Sequence, residues 1–586
     1  MKLNISRWIF ETSGFSHLED IITIVSIACE VNGEVRGWAL ETREYPINVI
    51  REKFFKVFHD PTKFAIFHNA PFDVKFLNVA GIYFTCTIID TMVMLWLNDE
   101  DRIRCGGYGL KENVLKFLHH KMASFEEARS LFGDFEMYAT DDSVQTFKLF
   151  RFLEEKLRVW GLLDWLWAVE VPIIRILIEM ETRGVALDKK HLKQLKAEAL
   201  KQIEGIEIKI FECVGYKFDV ASAKQLSHIL FEEKKFGMRD DGTNEFSHRG
   251  KSGEWSTNNE VLESMKRVKL NLATLVLNFR EVNTRLNTFI RPLIERCVQE
   301  PYIIFPKYIQ VGTVSGRFAS KDPNYQNLPR DGGIRKAFIA RPGYKIVRAD
   351  FSQAELRLMA HMSGDPTMID IYRNKGDIHQ TTADACGVTR QVSKAINFGL
   401  IYRMSWARLQ TQLALEGVII TEAEAKDYVA KYFKKYNKVR EYHQKVEKMV
   451  MKRLDENQEY GYVKTLGGRY RRLDKNYLIE RETSFSAITQ AINTTIQGGV
   501  SDLIKVAMIE IQNIFKANGW LDPEKGIWDC YIIGQIHDEL IIECKEELAE
   551  KTAKIVTYCM ENAGRKYNIR VPMLADAKIV DNLAKG

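Results

Sequence analysis

The sequence predicts a multidomain α/β fold, and three observations carry that prediction. Short β-prone apolar runs alternate with helical spacing near the N-terminus, amphipathic helices dominate the middle, and two strand-like runs nearer the C-terminus each lead to an acid. With 586 residues the chain exceeds what one hydrophobic core covers, so several domains are expected.

Composition narrows the class. A hydrophobic content of 46% with 28% charged residues is that of a soluble globular protein. A formal charge of +6 suits a polyanionic partner, and equally many enzymes with neutral substrates. Nine cysteines without a CxxC pair argue against a zinc site or disulfide framework and fit a reducing cytoplasm. No run of eighteen apolar residues occurs, and the first residues lack an apolar signal core, so a cytoplasmic protein with no membrane partner is expected.

In residues 1–160, Ile21 to Val31 reads as a buried strand, followed by an Asn32-Gly33 turn and a strand from Val35 to Leu40. Phe64 to Phe67 is a further strand, with a helix after HNAPFD. Glu11, Asp73 and Asp142, the last four residues after Tyr138, stand out as acids; by spacing alone they are solvated charges.

Residues 161–345 read as helices over Ala168 to Thr182, from Lys189, over Ala221 to Leu230 and over Leu270 to Ile290. Glu232 to Glu260, rich in Gly, Ser, Asn and charge, reads as a flexible loop. GTVSGRFASKDPNYQNLPR, Gly312 to Arg330, interleaves turn residues with Arg317, Lys321, Asn324, Gln326 and Asn327. Such a loop can offer donors to phosphates and base edges.

The organising stretch is Lys345 to Gly364. A strand ends on Asp350, and a helix from Gln353 places Leu356, Met359 and Ala360 on one face. In RQVSKAINFGLIY, Arg390, Lys394, Phe398 and Tyr402 fall four apart on one face, two cations for phosphates and two rings for a base. His379 opens the helix before it. A long charged helix is read from Tyr432 to Met451, and the Gly-turn-basic TLGGRYRR, Thr465 to Arg472, is expected to touch a phosphate backbone. Ala491 to Met508 reads as a helix with Asn493 and Gln497 on one face. Tyr531 to Glu543 reads as a tight hairpin with His537, Asp538 and Glu539 at its tip; crowding two acids there is unfavourable without a counter-ion.

These motifs resemble those of family A DNA polymerases that carry a 3′–5′ exonuclease domain. Thr313 to Arg317, Asp322 to Pro329, the Arg390–Tyr402 pattern and Ile536 to Glu539 match the polymerase signatures. Asn69 with Asp73 and Tyr138 with Asp142 match two exonuclease motifs. The resemblance implies a ribonuclease H-like exonuclease domain (1–160), then a right hand: mainly thumb and the start of the palm (161–345), palm (346–365), fingers (366–490) and palm again (491–586). It implies template-directed DNA synthesis at two Mg²⁺ ions, with Mn²⁺ as a substitute, held by Asp350, the Phe351 carbonyl and Asp538, with Glu539 as a further acid. Nucleotide contacts fall to Gln353, Glu355, His379, Arg390, Lys394, Phe398 and Tyr402. Primer–template contacts fall to Arg317, Asn327, Asn493, Gln497 and His537. Tyr402 and Glu355 are expected to pair and crowd the sugar 2′ position, and Phe398 to disfavour dideoxynucleotides.

The exonuclease site would comprise Glu11, Asp73, Tyr138 and Asp142, but Ile9 stands where the family has aspartate. Isoleucine offers no lone pair to a metal, so excision is expected to be weak or absent. Arg403 replaces the usual glycine after the tyrosine, and Thr489 the arginine four residues before Asn493. The partners implied are primer–template DNA and dNTPs, acted on by a monomer, with any processivity factor open; the chain is expected to carry no 5′ nuclease domain, a compact form that many phages encode. A chain acting chiefly as exonuclease, a non-catalytic DNA-binding module and a single-subunit RNA polymerase are the alternatives. Ile9, the intact palm acids and Glu355 weigh against each in turn.

Overall fold

The computed structural model describes residues 20–102, 106–128, 135–250, 253–268, 270–297, 300–329 and 333–584, together with the backbone of 5–12. The chain forms two compact units. The first comprises Met1–Arg183, Lys307–Lys321 and Gly343–Val580; the second comprises Gly184–Pro306, Asp322–Pro342 and Asp581–Gly586.

The first unit opens with a five-stranded sheet of β1 (Ile5–Thr12), β2 (Ile22–Val31), β3 (Glu34–Glu41), β4 (Phe64–Phe67) and β5 (Thr87–Asp90), in the order β3-β2-β1-β4-β5. β1, β2 and β3 pair antiparallel, as an Asn32-Gly33 turn permits, whereas β4 and β5 join in parallel. β4 is a continuous apolar run and β5 buries Ile88 and Ile89 side by side, as strands covered on both faces require. The helix Phe135–Val159 lies across this sheet.

A second, four-stranded sheet carries the features that matter most. Its order is Cys530–Ile536, Glu539–Lys545, Tyr344–Phe351, Ala575–Val580, all antiparallel. Every residue of Cys530–Ile536 is buried, and the helices Gly499–Ala517 and Ala549–Arg565 contribute most of their apolar side chains to the same core. Helices Ile378–Cys386, Arg390–Ile401, Trp406–Leu415 and Glu422–Lys435 follow, with Asp377, Thr389, Ser405 and Thr421 as N-caps.

The long helix expected from Tyr432 to Met451 is broken. One helix ends at Lys435 and the next runs Asn437–Asn457, because Tyr436 leaves helical geometry to bury its ring and bring its hydroxyl 2.9 Å from that of Thr382. Four expected helices also contain a wide π turn: Leu166–Glu170, His228–Glu233, Arg285–Ile290 and Thr494–Gly498. Such single turns recur at functional sites.

In the second unit the helix Lys189–Val214 is closed by the Asp188 carboxylate at one end and a left-handed Gly215 at the other. Its partners Asn259–Arg267 and Asn271–Thr284 share a core of Ile210, Leu226, Leu262, Met265 and Val276. The stretch read as a flexible loop is organised by bridges between Met238 and Asn244 and between Arg249 and Trp255, whose indole is buried beneath the Arg249 guanidinium. Asn327 belongs to this unit, exposed at the end of the short turn Tyr325–Asn327.

Candidate active site

Strand register brings the two acids together. Asp350, near the end of Tyr344–Phe351, lies opposite Glu539, and the Phe351 N–H donates to the Asp538 carbonyl at 3.3 Å. His537 and Asp538 form the whole hairpin turn, His537 at φ 57°, as a two-residue connection demands. The side chains of Asp350 and Asp538 are in hydrogen-bond contact. Burial raises the Asp538 carboxyl above its ordinary range and Glu355 adds to this, while Arg317 and Asp350 oppose it. Two carboxyls so placed share a proton or take a cation. Their hard oxygens suit a divalent metal, so the residues present fit the Mg²⁺ that the motifs imply.

Glu539 differs from its neighbours in the tip. It is buried and accepts from Arg348 Nε at 2.7 Å and Nη2 at 2.6 Å, so its charge is already met within the sheet. Gln353, left-handed at φ 56°, starts the helix Ala354–Ser363 and accepts from the Tyr372 hydroxyl at 3.0 Å. That helix presents Glu355, whose carboxylate takes Arg317 Nη2 at 2.7 Å. The Arg317 loop is fixed from three sides: Trp96 Nε1 donates to Thr313 O, Arg469 Nη2 to Ser315 O, and Ser501 Oγ to Gly316 O. Gly316 has φ +84°, and a Cβ there would stand 2.5 Å from Arg469 Nη1, so only glycine fits.

The helix Arg390–Ile401 provides the cationic face. Arg390 Nε meets Asp377 Oδ2 at 2.7 Å, with both groups half exposed to solvent; Lys394 follows one turn on. His379 is buried beside them, its Nδ1 accepting from Asn397 Nδ2 at 3.1 Å and its ring 5.8 Å from that of Phe398. Burial holds its pKa below normal; Asp377 opposes this, and Arg390 and Lys394 reinforce it. Phe398 is 40% exposed, a ring left open to a planar ligand. The Tyr402 hydroxyl is buried, facing Glu355 and Gln497 without a well-aligned hydrogen bond; burial and then Glu355 keep its pKa far above the ordinary tyrosine value.

Arg403 is at φ 58°, which costs a non-glycine residue about 1–2 kcal/mol. Its Nη2 donates to Glu447 Oε2 at 3.0 Å and its guanidinium lies 4.6 Å from the Phe485 ring centroid, while Nη1 is buried without a partner. A partly exposed ion pair contributes about 0.2–1 kcal/mol and an exposed cation–π contact about 0.5–1 kcal/mol. These contacts at best offset the backbone strain. On the helix Arg481–Asn493 that bears Phe485, Thr489 donates to the Phe485 carbonyl at 2.8 Å and Asn493 Oδ1 is buried without a partner; Gln497 sits in the π turn that follows.

Residues 189–585 match the sequence profile of DNA polymerase family A. The chain belongs to that family. Residues 11–158 match a 3′–5′ exonuclease profile, so an exonuclease domain precedes the polymerase domain, in the order the motifs imply. The DNA polymerase I of Treponema pallidum is 31% identical over 561 residues, covering 91% of this chain and 52% of its own length. That of Rhizobium leguminosarum is 30% identical, covering 94% and 54%. The thermostable DNA polymerase I of Thermus filiformis is 34% identical, covering 76% and 51%. The chain thus spans about half the length of these curated relatives. The solved polymerase domain of Pol1 from M. smegmatis, in complex with DNA primer-template and dNTP, superposes with a TM-score of 0.84 at 25% identity, covering 100% of this chain and 96% of that one.

Within this family A polymerase domain a further sequence expectation fails. The arginines of Thr465–Arg472 do not present themselves to a phosphate backbone; Arg469, Arg471 and Arg472 are buried. Arg469 pairs with Asp502 at 2.6 Å, Arg471 with Asp101 at 3.2 Å and Arg472 with Glu100 at 2.7 Å. Sequence reasoning also missed Lys505, fully buried against Glu170 at 2.8 Å, where Gln310 and Trp165 donate as well. One signal was available: Asp502 and Lys505 interrupt the mostly apolar first half of a helix, Gly499–Met508, where a charge survives only if paired.

In the exonuclease domain, Asp73 is buried in the first turn of Ala70–Val79, and Tyr138 and Asp142 lie one turn apart on Phe135–Val159. Lys111 donates to the Tyr138 hydroxyl at 3.0 Å and lies over its ring. The side chains of Ile9 and Glu11 lie outside the described residues. Asp90 accepts from the N–H groups of Asn69, Ala70 and Met92, yet burial pushes its carboxyl up to about 6. A cavity of ≈ 660 Å³ is lined by Asn69, Phe72, Asp90, Tyr108, Lys307 and Lys321. Among the described residues no helix is long and apolar enough to cross a membrane.

Proposed function

We propose that the chain copies a DNA template, adding dNTPs to a primer 3′-hydroxyl with release of pyrophosphate. The observation that carries this reading is the strand register that sets Asp350 opposite Glu539 and ties Phe351 to the Asp538 turn, so that the two acids meet. In this reading the palm comprises 346–365 and 491–586, the fingers 366–490, and 161–345 is mainly thumb with the start of the palm.

Asp350, Asp538 and the Phe351 carbonyl would hold Mg²⁺, which when bound acidifies the primer hydroxyl and neutralises charge on the leaving group. The remaining work falls to this chain's own side chains. Arg390 and Lys394 bind the triphosphate and stabilise the pyrophosphate as it leaves, and His379, kept neutral by burial, can donate a hydrogen bond to it. Phe398 stacks against the base. Tyr402 and Glu355 fill the space beside the sugar 2′ carbon and so favour deoxynucleotides. Glu355 also orients Arg317 toward the primer end. That the M. smegmatis neighbour was solved with primer–template and dNTP supports the choice of substrates.

The exonuclease domain is inferred to be weak or inactive, since Ile9 cannot supply a metal ligand. Primer extension tests both statements. Asp538→Asn should lower extension at least ~100-fold, and Ile9→Asp should gain excision of a labelled primer without dNTPs. Extension surviving in Asp538→Asn would overturn the assignment. Preferential use of rNTPs by the unmodified chain would point instead to RNA synthesis.

A further inference from the structure

We infer that Arg403 holds the unpaired template strand beside the active site, exchanging its ion pair with Glu447 for a template phosphate while Phe485 stacks the displaced base. This deepens the polymerase reading and rests on it.

The placement follows from the nucleotide helix. From Arg390 to Tyr402 is twelve residues, ~18 Å along the axis. A nucleotide whose phosphates meet Arg390 and Lys394 directs its base toward Phe398 and Tyr402. The template base that pairs with it therefore lies at the C-terminal end of the helix, and the strand bearing that base continues past residue 403. Here the structure puts a cation where the backbone favours glycine. The contacts made by that cation do no more than balance its strain, so its present position gains nothing that glycine would not give.

The surroundings are those of a single-strand site. Phe485 is 50% exposed and lies against the guanidinium, the aromatic–arginine pairing on which unstacked bases settle regardless of sequence. Arg403 Nη1 is a buried donor without a partner. The Glu447 carboxylate that occupies Nη2 is itself 43% exposed, so a phosphate can displace it at little desolvation cost.

The experiment measures affinity of the full chain for fluorescein-labelled primer–templates with template overhangs of none, one or four nucleotides, by anisotropy without dNTPs over a range of NaCl concentrations. The quantity read is the ratio of overhang to blunt affinity. Arg403→Gly, which suits the backbone, should lower this ratio roughly fivefold or more and reduce the slope of log affinity against log salt by ~0.7, the value for one single-strand phosphate. Glu447→Gln should raise the ratio by releasing the guanidinium. An unchanged ratio and slope in Arg403→Gly, or equal weakening of blunt and overhanging substrates, would overturn the inference. So would a fall in the ratio of Glu447→Gln. Extension by the unmodified chain in the same buffer reports the polymerase reading separately.

Discussion

Arg390–Tyr402 and Thr465–Arg472 are both basic stretches of the first unit, and they end in opposite circumstances. The first keeps its cations at the surface: Arg390 shares a half-exposed pair with Asp377, and Lys394 stands one turn on. The second sinks all three of its arginines onto Asp502, Asp101 and Glu100. What separates the two is burial: the Arg390 pair stays open to solvent and exchangeable, whereas the arginines of the second stretch are locked onto their carboxylates in the interior. Buried pairs of this kind are expensive to break and add little net stability when whole.

The widest contrast should come from Arg469→Met. Leaving Asp502 buried and unpaired should destabilise the protein by ~3–5 kcal/mol, read as a shift in the urea midpoint, with part of it recovered in Arg469→Met/Asp502→Leu. An exposed-type effect under ~1 kcal/mol would erase the distinction between the two stretches.

Next is His443, which anchors the end of the working helix without charge, Nε2 donating to the Ile401 carbonyl at 3.0 Å. Burial lowers its pKa from 6.5 to about 4. The unfolded chain therefore binds a proton that the native ring refuses, so stability is whole above pH 6.5 and is lost as pH falls toward 4. The loss is on the order of 3 kcal/mol. Calorimetry from pH 7 to 4 should show that much less acid destabilisation in His443→Gln; parallel curves would refute it.

A smaller effect is expected of Lys394→Ala. The dNTP kcat/KM should fall ~10–100-fold, the worth of one charge-assisted hydrogen bond, while the melting temperature scarcely moves. A large drop in melting temperature would make Lys394 a structural residue as well. Smallest is Asp377→Asn, which retains the helix cap and releases Arg390: dNTP KM should change by less than ~threefold, as exposed pairs are weak.

Local chemistry was legible in the sequence; long-range chemistry was not. Phe64 to Phe67 and the turn at Asn32-Gly33 carry their own signals, and so does the His537-Asp538 turn between apolar runs. The contact of Asp350 with Asp538 was expected from motifs and is reached by sheet pairing alone. Arg472 looked free because its partner Glu100 lies 372 residues away. The π turns were illegible for another reason: a single added residue barely disturbs apolar spacing until a full turn later. Tyr436 broke a good helical pattern because its burial against Thr382 outweighed the continuity of the helix.

One of those wide turns has an architectural consequence. Thr494–Gly498 inserts a residue between the face carrying Asn493 and the face carrying Asp502 and Lys505. Excising a single residue there would rotate the downstream half by ~100°, swinging both charges out of their sockets while the polar face stayed put. The segment thus works as a phase coupler: its length fixes the angle between the foundation of the hand and the surface it offers, so it can tolerate changes of letter far better than changes of number.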